Sequence, residues 1–166
     1  ENGDFIINKT STYNPLLEIA NSNNEIRRWN VIGSTYFQYN IADWISFKTT
    51  VSAGLDSYRR GQSWGRYTSV GLDNNDTATA EIENSESFNY TWDNQVNIDK
   101  TIGEHSFNFL ALYSNYADRF ESSYQSSALM PFDTKFYNTG SGQQSRFDLK
   151  SRFIKQTLTS SASRLK

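Results

Sequence analysis

The chain has 166 residues, of which 36% are hydrophobic and 15% aromatic, and its formal net charge at pH 7 is −2. The high aromatic content argues against a disordered chain, and the slightly acidic balance argues against a general nucleic-acid binder, which would need a basic face. Because cysteine is absent, the sequence offers neither a disulfide framework nor a thiolate metal site. The sequence contains no run of about 18 apolar residues, so it predicts no transmembrane helix. The strands of a membrane β-barrel alternate apolar and polar residues and would not produce such a run.

Apolar and polar residues alternate in the first half of the chain with the period of two that is typical of a β-strand. The alternation predicts one strand over about 29–41 and a second over about 45–57, separated by a short break at 42–44. Two strands this close in sequence form an antiparallel hairpin with a tight turn.

The same pattern returns after a long polar interval. It predicts strands over about 87–99 and 105–117, joined by another short turn, and part of a fifth strand over about 146–166. The intervals 58–86 and 118–145 show no convincing periodicity and are predicted to be long loops. Short turns and long loops therefore alternate along the chain.

This asymmetry between the connections favours an outer-membrane β-barrel. Loops beyond about 12–15 residues are uncommon in compact soluble domains, whereas outer-membrane barrels have short periplasmic turns at one rim and long extracellular loops at the other. A soluble β-sandwich also alternates apolar and polar residues, but its strands most often have about 5–6 residues. The predicted fold class is therefore all-β, with antiparallel transmembrane strands that form part of a large barrel.

In such a barrel, one set of alternate side chains contacts lipid and the other lines a wet lumen. Trp29, Tyr39 and Trp44 would lie near the membrane interfaces as an aromatic girdle. The predicted lipid-facing residues are Val31, Phe37, Tyr39, Ile41, Ile45, Phe47, Val51, Leu55, Phe88, Tyr90, Trp92, Phe107 and Phe109.

An ordered set of short motifs runs along most of the chain. Its members are Asn14, Pro15 and Leu16; then Tyr36, Phe37 and Tyr39; then Phe47, Lys48 and Gly54 to Asp56; and last Lys100, Gly103, Glu104, His105, Ser106, Asn108 and Leu110. This order resembles the barrel of SusC-like TonB-dependent outer-membrane receptors of the Bacteroidota type. The likeness fades in 59–85 and 118–156, and Tyr113 and Ser114 stand where the family commonly has a glycine.

The resemblance implies an outer-membrane transporter that imports oligosaccharides or peptides. In that family a SusD-like surface lipoprotein closes over the extracellular loops, and TonB supplies energy through a plug domain. The resemblance also implies a barrel of about 22 strands, of which residues 1–166 would form one part, since neither a plug domain nor a TonB box is found among them. Outer-membrane lipid is an implied partner, and nucleic acid is not.

The sequence contains no recognisable catalytic or metal-binding motif, so we predict no enzymatic activity and no cofactor. His105 is the only histidine, and its place in a predicted hairpin turn favours a structural or solvated role. The acidic interval with Asp73, Asp76, Glu81, Glu83 and Glu86 lacks the spacing of an EF-hand and is predicted to be a solvated loop.

Two intervals rich in aromatic residues and arginine are candidates for ligand or partner contact. Aromatic faces and planar donors suit sugar rings or peptides, the same residue types are enriched at protein interfaces, and internal packing of the loops is equally open. The candidates are Tyr58, Arg59, Arg60, Trp64, Arg66, Tyr67, Tyr124, Met130, Phe132, Phe136 and Tyr137.

Two other functions stay open at this point. One is a structural barrel on the same SusC-like wall, within an outer-membrane assembly or secretion complex. The other is a soluble β-sandwich module that binds carbohydrate.

Overall fold

The structure is a computed structural model and describes residues 14–143 and 147–166. These residues form two short helices, five long strands and one 3₁₀ turn at Thr139–Ser141. The helices and strands are α1 (Pro15–Asn21), β1 (Ser22–Ala42), β2 (Ile45–Trp64), α2 (Ser69–Asp73), β3 (Ala78–Ile102), β4 (His105–Met130) and β5 (Asp148–Leu165). Neither helix has the length and apolar character that a membrane crossing by a helix requires.

The five strands form one sheet in the order β1-β2-β3-β4-β5. Each strand pairs with its neighbours in sequence, and the pairing is antiparallel. The prediction of an all-β, antiparallel fold is confirmed, and the sheet is open rather than closed on itself. The described residues form no second sheet, and Phe37, Val51 and Trp92 are exposed, so the structure does not support the β-sandwich alternative.

The strands are longer than the alternation predicts. Residues 58–64, 78–86 and 118–130, which the sequence predicts to be loop, continue β2, β3 and β4. A ladder of backbone hydrogen bonds needs no apolar side chains, so polar segments extend strands without leaving a period-two signal. The fifth strand begins at Asp148, and the predicted start at 146 lies outside the described residues.

The two hairpin turns are tight and differ in chemistry. The turn between β3 and β4 uses Gly103, whose φ of 64° is left-handed and favours glycine. The turn between β1 and β2 uses Asp43 and Trp44. The Trp44 carbonyl accepts a hydrogen bond from the Asp99 amide at 2.8 Å, and the Lys100 Nζ lies 4.2 Å from the centroid of the Trp44 ring.

The described chain divides into two compact units. The first, called the loop unit here, comprises 14–28, Ser57–Ser85 and 122–152 as far as these are described. The second, called the turn unit, comprises Trp29–Asp56, Glu86–Glu121 and Phe153–Lys166.

The loop unit has a small apolar core beneath the connection from β4 to β5. Ala78, Ala80 and Ile82 of β3 are buried there with Met130 and Phe136. Phe136 lies directly over Gly61 of β2, so close that a Cβ on this glycine would clash with the Phe136 Cδ2 atom. A side chain at position 61 would therefore displace the ring.

The two helices of the loop unit are held by side-chain caps. Asn14 caps α1 by accepting from the Leu16 amide at 3.0 Å, and Pro15 occupies the first turn, where no amide is needed. Buried Thr68 caps α2 by accepting from the Gly71 amide at 3.1 Å. Glu18 of α1 accepts from the Ser69 amide at 2.5 Å, which ties the two helices together.

Candidate functional site

Cross-strand hydrogen bonds fix which side chains of the turn unit share a face. Between β1 and β2, the Ser34 and Ser52 hydroxyls are 2.8 Å apart, and the Asn30 amide donates to the Asp56 carboxylate at 3.2 Å. Even-numbered residues of the two strands therefore lie on one face, since alternate side chains point to opposite sides. Their odd-numbered residues lie on the other.

The two faces continue over β3 and β4. Trp92 Nε1 donates to Thr49 Oγ1 at 2.9 Å, so even residues of β3 join odd residues of β2. On the opposite face, the Ser114 hydroxyl donates to the Asp93 carboxylate at 2.5 Å. Even residues of β4 thus join odd residues of β3, and odd residues of β4 join the face that carries Trp92.

One face of the turn unit is apolar across four strands, and we call it the apolar face. The register places every predicted lipid-facing residue on it, although contact with lipid itself stays a prediction. Most of these side chains are exposed, from 37% for Leu55 to 60% for Phe37. Ile45, Phe47 and Phe109 are half-buried.

The opposite face, called the polar face, carries mostly amides, hydroxyls and carboxylates over β1, β2 and β3. Its residues there include Asn30, Ser34, Gln38, Asn40, Ser46, Lys48, Thr50, Ser52, Asp56, Asn89, Thr91, Asp93, Gln95, Asn97 and Asp99. Lys48 lies over the Tyr36 ring, with its Nζ 4.7 Å from the ring centroid. Such a surface suits water and polar solutes.

The fifth strand breaks this segregation, which the sequence pattern did not reveal. Asn108 and Lys166 exchange backbone hydrogen bonds of 3.0 and 2.9 Å, and the Asn115 amide donates to Thr159 Oγ1 at 3.0 Å. Odd residues of β5 therefore share the apolar face, and four consecutive ones carry hydroxyl groups: Thr157, Thr159, Ser161 and Ser163. The other odd residues of β5 in the turn unit are Phe153, Lys155 and Leu165. Even residues of β4 put Leu110 and Leu112 on the polar face. The signal that could have shown this is the Ser/Thr-rich composition of 157–163.

The predicted ligand or partner residues fall into a buried and an exposed set. Met130 and Phe136 are each 2% exposed and belong to the core of the loop unit. Tyr67, Phe132 and Tyr137 are exposed large side chains. Arg66 is also exposed, while Tyr58, Arg59, Arg60, Trp64 and Tyr124 lie half-buried on β2 and β4, in strand rather than in loop.

Charged side chains surround Tyr124 in the loop unit. The Lys150 Nζ lies 5.2 Å from the centroid of the Tyr124 ring and donates to the Asp148 carboxylate at 2.7 Å. Burial raises the pKa of the Tyr124 hydroxyl above its usual 10.0, and Glu81 and Asp148 act in the same direction. The hydrogen bond with Asp148 raises the pKa of Lys150.

The remaining titratable candidates do not assemble into a metal or catalytic centre within the described residues. No group of three or more His, Cys, Asp or Glu there could hold a metal ion. His105 is exposed at the first position of β4, and Asp73 and Asp76 are exposed around the end of α2.

Comparison with solved structures finds this fold in the RagAB peptide transporter. The TM-score is 0.66 at 12% identity, over 88% of this chain and 16% of that chain. The RagAB peptide importer gives 0.69 at 13% identity over 99% and 19% in its "open-open" state, and 0.62 at 11% over 88% and 16% in its "closed-closed" state.

Identity at this level shows a shared fold and nothing further. This chain spans less than a fifth of the length of the solved chains that it resembles. No protein-family model matches the sequence. No curated protein matches it either. The comparisons therefore place the sheet in the same class of architecture as one part of a large importer chain.

Proposed function

We propose that this chain is a wall segment of a SusC-like, TonB-dependent transporter of the bacterial outer membrane. The apolar face carries this proposal, because it is continuous over β1, β2, β3 and β4 in the register fixed by cross-strand hydrogen bonds. The fold shared with the RagAB peptide importer supports it. Peptides are accordingly the first cargo to test, with oligosaccharides as the second class.

The height of the apolar face matches a membrane. On β2 the face runs from Ile45 to Leu55. Ten residue steps at about 3.4 Å each span about 34 Å along a strand, and a tilt of about 40° reduces this to a height of about 26 Å. The apolar band of an outer-membrane barrel is about 25 Å tall. A water-exposed sheet would have no reason to keep this length.

The wall would also meet the requirement that lipid imposes on the backbone. An unpaired N–H or C=O group in hydrocarbon costs several kcal/mol, and each inner strand of this sheet has a hydrogen-bonded neighbour on both sides. The outer edges of β1 and β5 would be paired by further strands of a closed barrel. Aromatic and aliphatic side chains on the apolar face each gain roughly 1.5–3 kcal/mol when they leave water.

The loop unit would lie at the extracellular rim and meet the partners. Its exposed Tyr67, Phe132 and Tyr137 are available to a SusD-like lipoprotein or to cargo, whereas buried Met130 and Phe136 hold the loops in place. TonB would act through a plug domain of the complete receptor. We infer no catalytic role and no cofactor, because import through this wall would need neither.

The proposal is tested with the complete receptor in its own cells. After separation of inner and outer membranes, we expect the receptor in the outer-membrane fraction, together with a surface lipoprotein that co-purifies with it. Deletion of the receptor should abolish uptake of a fluorescent peptide mixture and leave uptake of free amino acids unchanged. Recovery in the soluble periplasm, or peptide uptake that survives deletion, would contradict the proposal.

A further inference from the structure

A shallow cavity of about 160 Å³ lies on the polar face of the turn unit, where Gly54 leaves β2 without a side chain. Three neighbouring strands supply its polar lining: Asn30 from β1, Ser52 and Asp56 from β2, and Asn89 and Thr91 from β3. We call this cavity the Gly54 niche. It is distinct from the exposed aromatic residues of the loop unit.

The niche exists because its centre is a glycine. A Cβ on Gly54 would stand 3.1 Å from Asn89 Oδ1 and 3.3 Å from Asn89 Nδ2, so the Asn89 amide lies close over the backbone of β2. On the other side, Asn30 Nδ2 donates to Asp56 Oδ2 at 3.2 Å. The polar groups of the lining are thus two primary amides, two hydroxyls and one carboxylate, and Ile32 of β1 adds an apolar side chain.

This lining selects a chemical class of ligand. Amides and hydroxyls both donate and accept hydrogen bonds, so they complement a group that does the same. The Asp56 carboxylate repels anions at close range. A volume of about 160 Å³ corresponds to about five waters at roughly 30 Å³ each, which is room for one amide or one pair of hydroxyls.

We propose that the Gly54 niche binds a neutral group of the cargo that carries both a hydrogen-bond donor and an acceptor, a peptide amide or a sugar hydroxyl. The inference rests on the proposed function, because in a barrel wall the face opposite the lipid-facing one is turned toward the lumen. A single small site of this kind holds cargo weakly enough to release it again, as conduction through a pore requires.

The test measures equilibrium binding to the complete receptor, purified from outer membranes in detergent together with its partner. Three probes are used. N-acetyl-tetraalanine amide and maltotetraose are neutral, whereas N-succinyl-tetraalanine amide carries one carboxylate. Gly54→Val fills the niche. Gly33→Val is the matched control, since a Cβ on that residue of the apolar face meets no atom within 4 Å.

We expect Gly54→Val to weaken binding of one neutral probe about tenfold or more, equivalent to about 1.4 kcal/mol, and Gly33→Val to leave it unchanged. The affected probe identifies the source of the group as peptide or sugar. Thr91→Val keeps the volume and removes one hydroxyl, and about a fivefold loss is expected from one hydrogen bond. If the Gly54→Val receptor does not fold, the Thr91→Val variant alone shows whether the Gly54 niche binds the probe. Asp56→Asn should bring the succinylated probe to the affinity of its neutral counterpart.

The outcomes separate the niche from the proposed function. Binding by the wild-type receptor that Gly54→Val and Thr91→Val leave unaltered overturns the niche alone. A wild-type receptor that binds neither neutral probe overturns both. Equal discrimination against the succinylated probe before and after Asp56→Asn overturns the role of Asp56 in excluding anions.

Discussion

Replacement of Val51 by arginine tests whether the apolar face contacts lipid. Val51 is the sixth residue after Ile45 on β2 and is 44% exposed. At about 3.4 Å per residue and a tilt of about 40°, it lies about 16 Å from the turn end, within the central part of an apolar band about 25 Å tall. An arginine at that depth costs about 2–4 kcal/mol, which is about a 30- to 700-fold change in the folding equilibrium.

The neighbouring Thr50→Arg is the matched control. Thr50 lies on the polar face with Asp93, so its arginine would reach water and a carboxylate, and we expect a change within about 0.5 kcal/mol. The assay follows the fraction of complete receptor in isolated outer membranes that keeps its folded, heat-modifiable mobility on a gel as urea increases. A lower urea midpoint for Val51→Arg alone is expected. If Thr50→Arg lowers the midpoint as much as Val51→Arg does, the assignment of the two faces is wrong.

Two further predictions concern the loop unit. Gly61→Val should expel Phe136 from the core, because the added Cβ would clash with the Phe136 ring. Limited proteolysis should then cut the connection from β4 to β5 faster than in the control variant Gly140→Val, where a Cβ meets nothing within 4 Å. Equal cutting rates would show that the ring does not anchor the connection. Burial raises the pKa of Tyr124 in the folded state, so its contribution to stability is complete below about pH 10 and is lost as the pH rises further. Tyr124→Phe should therefore lose less urea resistance than wild type between about pH 9 and 11, and an identical loss in both would contradict the assignment.

The sequence was informative where side chains alternate and silent where only the backbone is ordered. The face of each side chain can be predicted over Trp29 to Ile41 and Ile45 to Leu55, because a strand with one face against lipid or a core alternates apolar and polar residues with a period of two. Residues 58–64 and 118–130 are just as extended, but their polar side chains carry no such pattern. Backbone hydrogen bonds in a sheet depend on which segments are neighbours in space, and a single sequence does not contain this information.

The residues of the candidate site could likewise be predicted only where apolar and polar side chains alternate. The predicted lipid-facing set could be assembled from parity alone, since the two strands of each hairpin are locked by a tight turn. The buried positions of Met130 and Phe136 could not be predicted, because they depend on how the connection from β4 to β5 folds over Ala80 and Gly61. The Gly54 niche could not be predicted from the sequence either, since its lining comes from three strands.

The apolar face meets hydroxyl side chains at β5, and the pair formed by Asn115 and Thr159 shows how the environment of that edge can be measured. The Asn115 amide donates to Thr159 Oγ1 at 3.0 Å. If the pair lies in hydrocarbon, Thr159→Val leaves an amide unpaired and costs about 1–3 kcal/mol, whereas the double change Asn115→Leu with Thr159→Val is nearly neutral or stabilising. If the pair lies in water, the solvent replaces the lost partner, and the coupling between the two substitutions falls below about 0.5 kcal/mol. The urea midpoints of both single variants and the double variant give this coupling. A small coupling together with a costly Val51→Arg would show that the apolar face contacts lipid at Val51 while the pair formed by Asn115 and Thr159 is accessible to water.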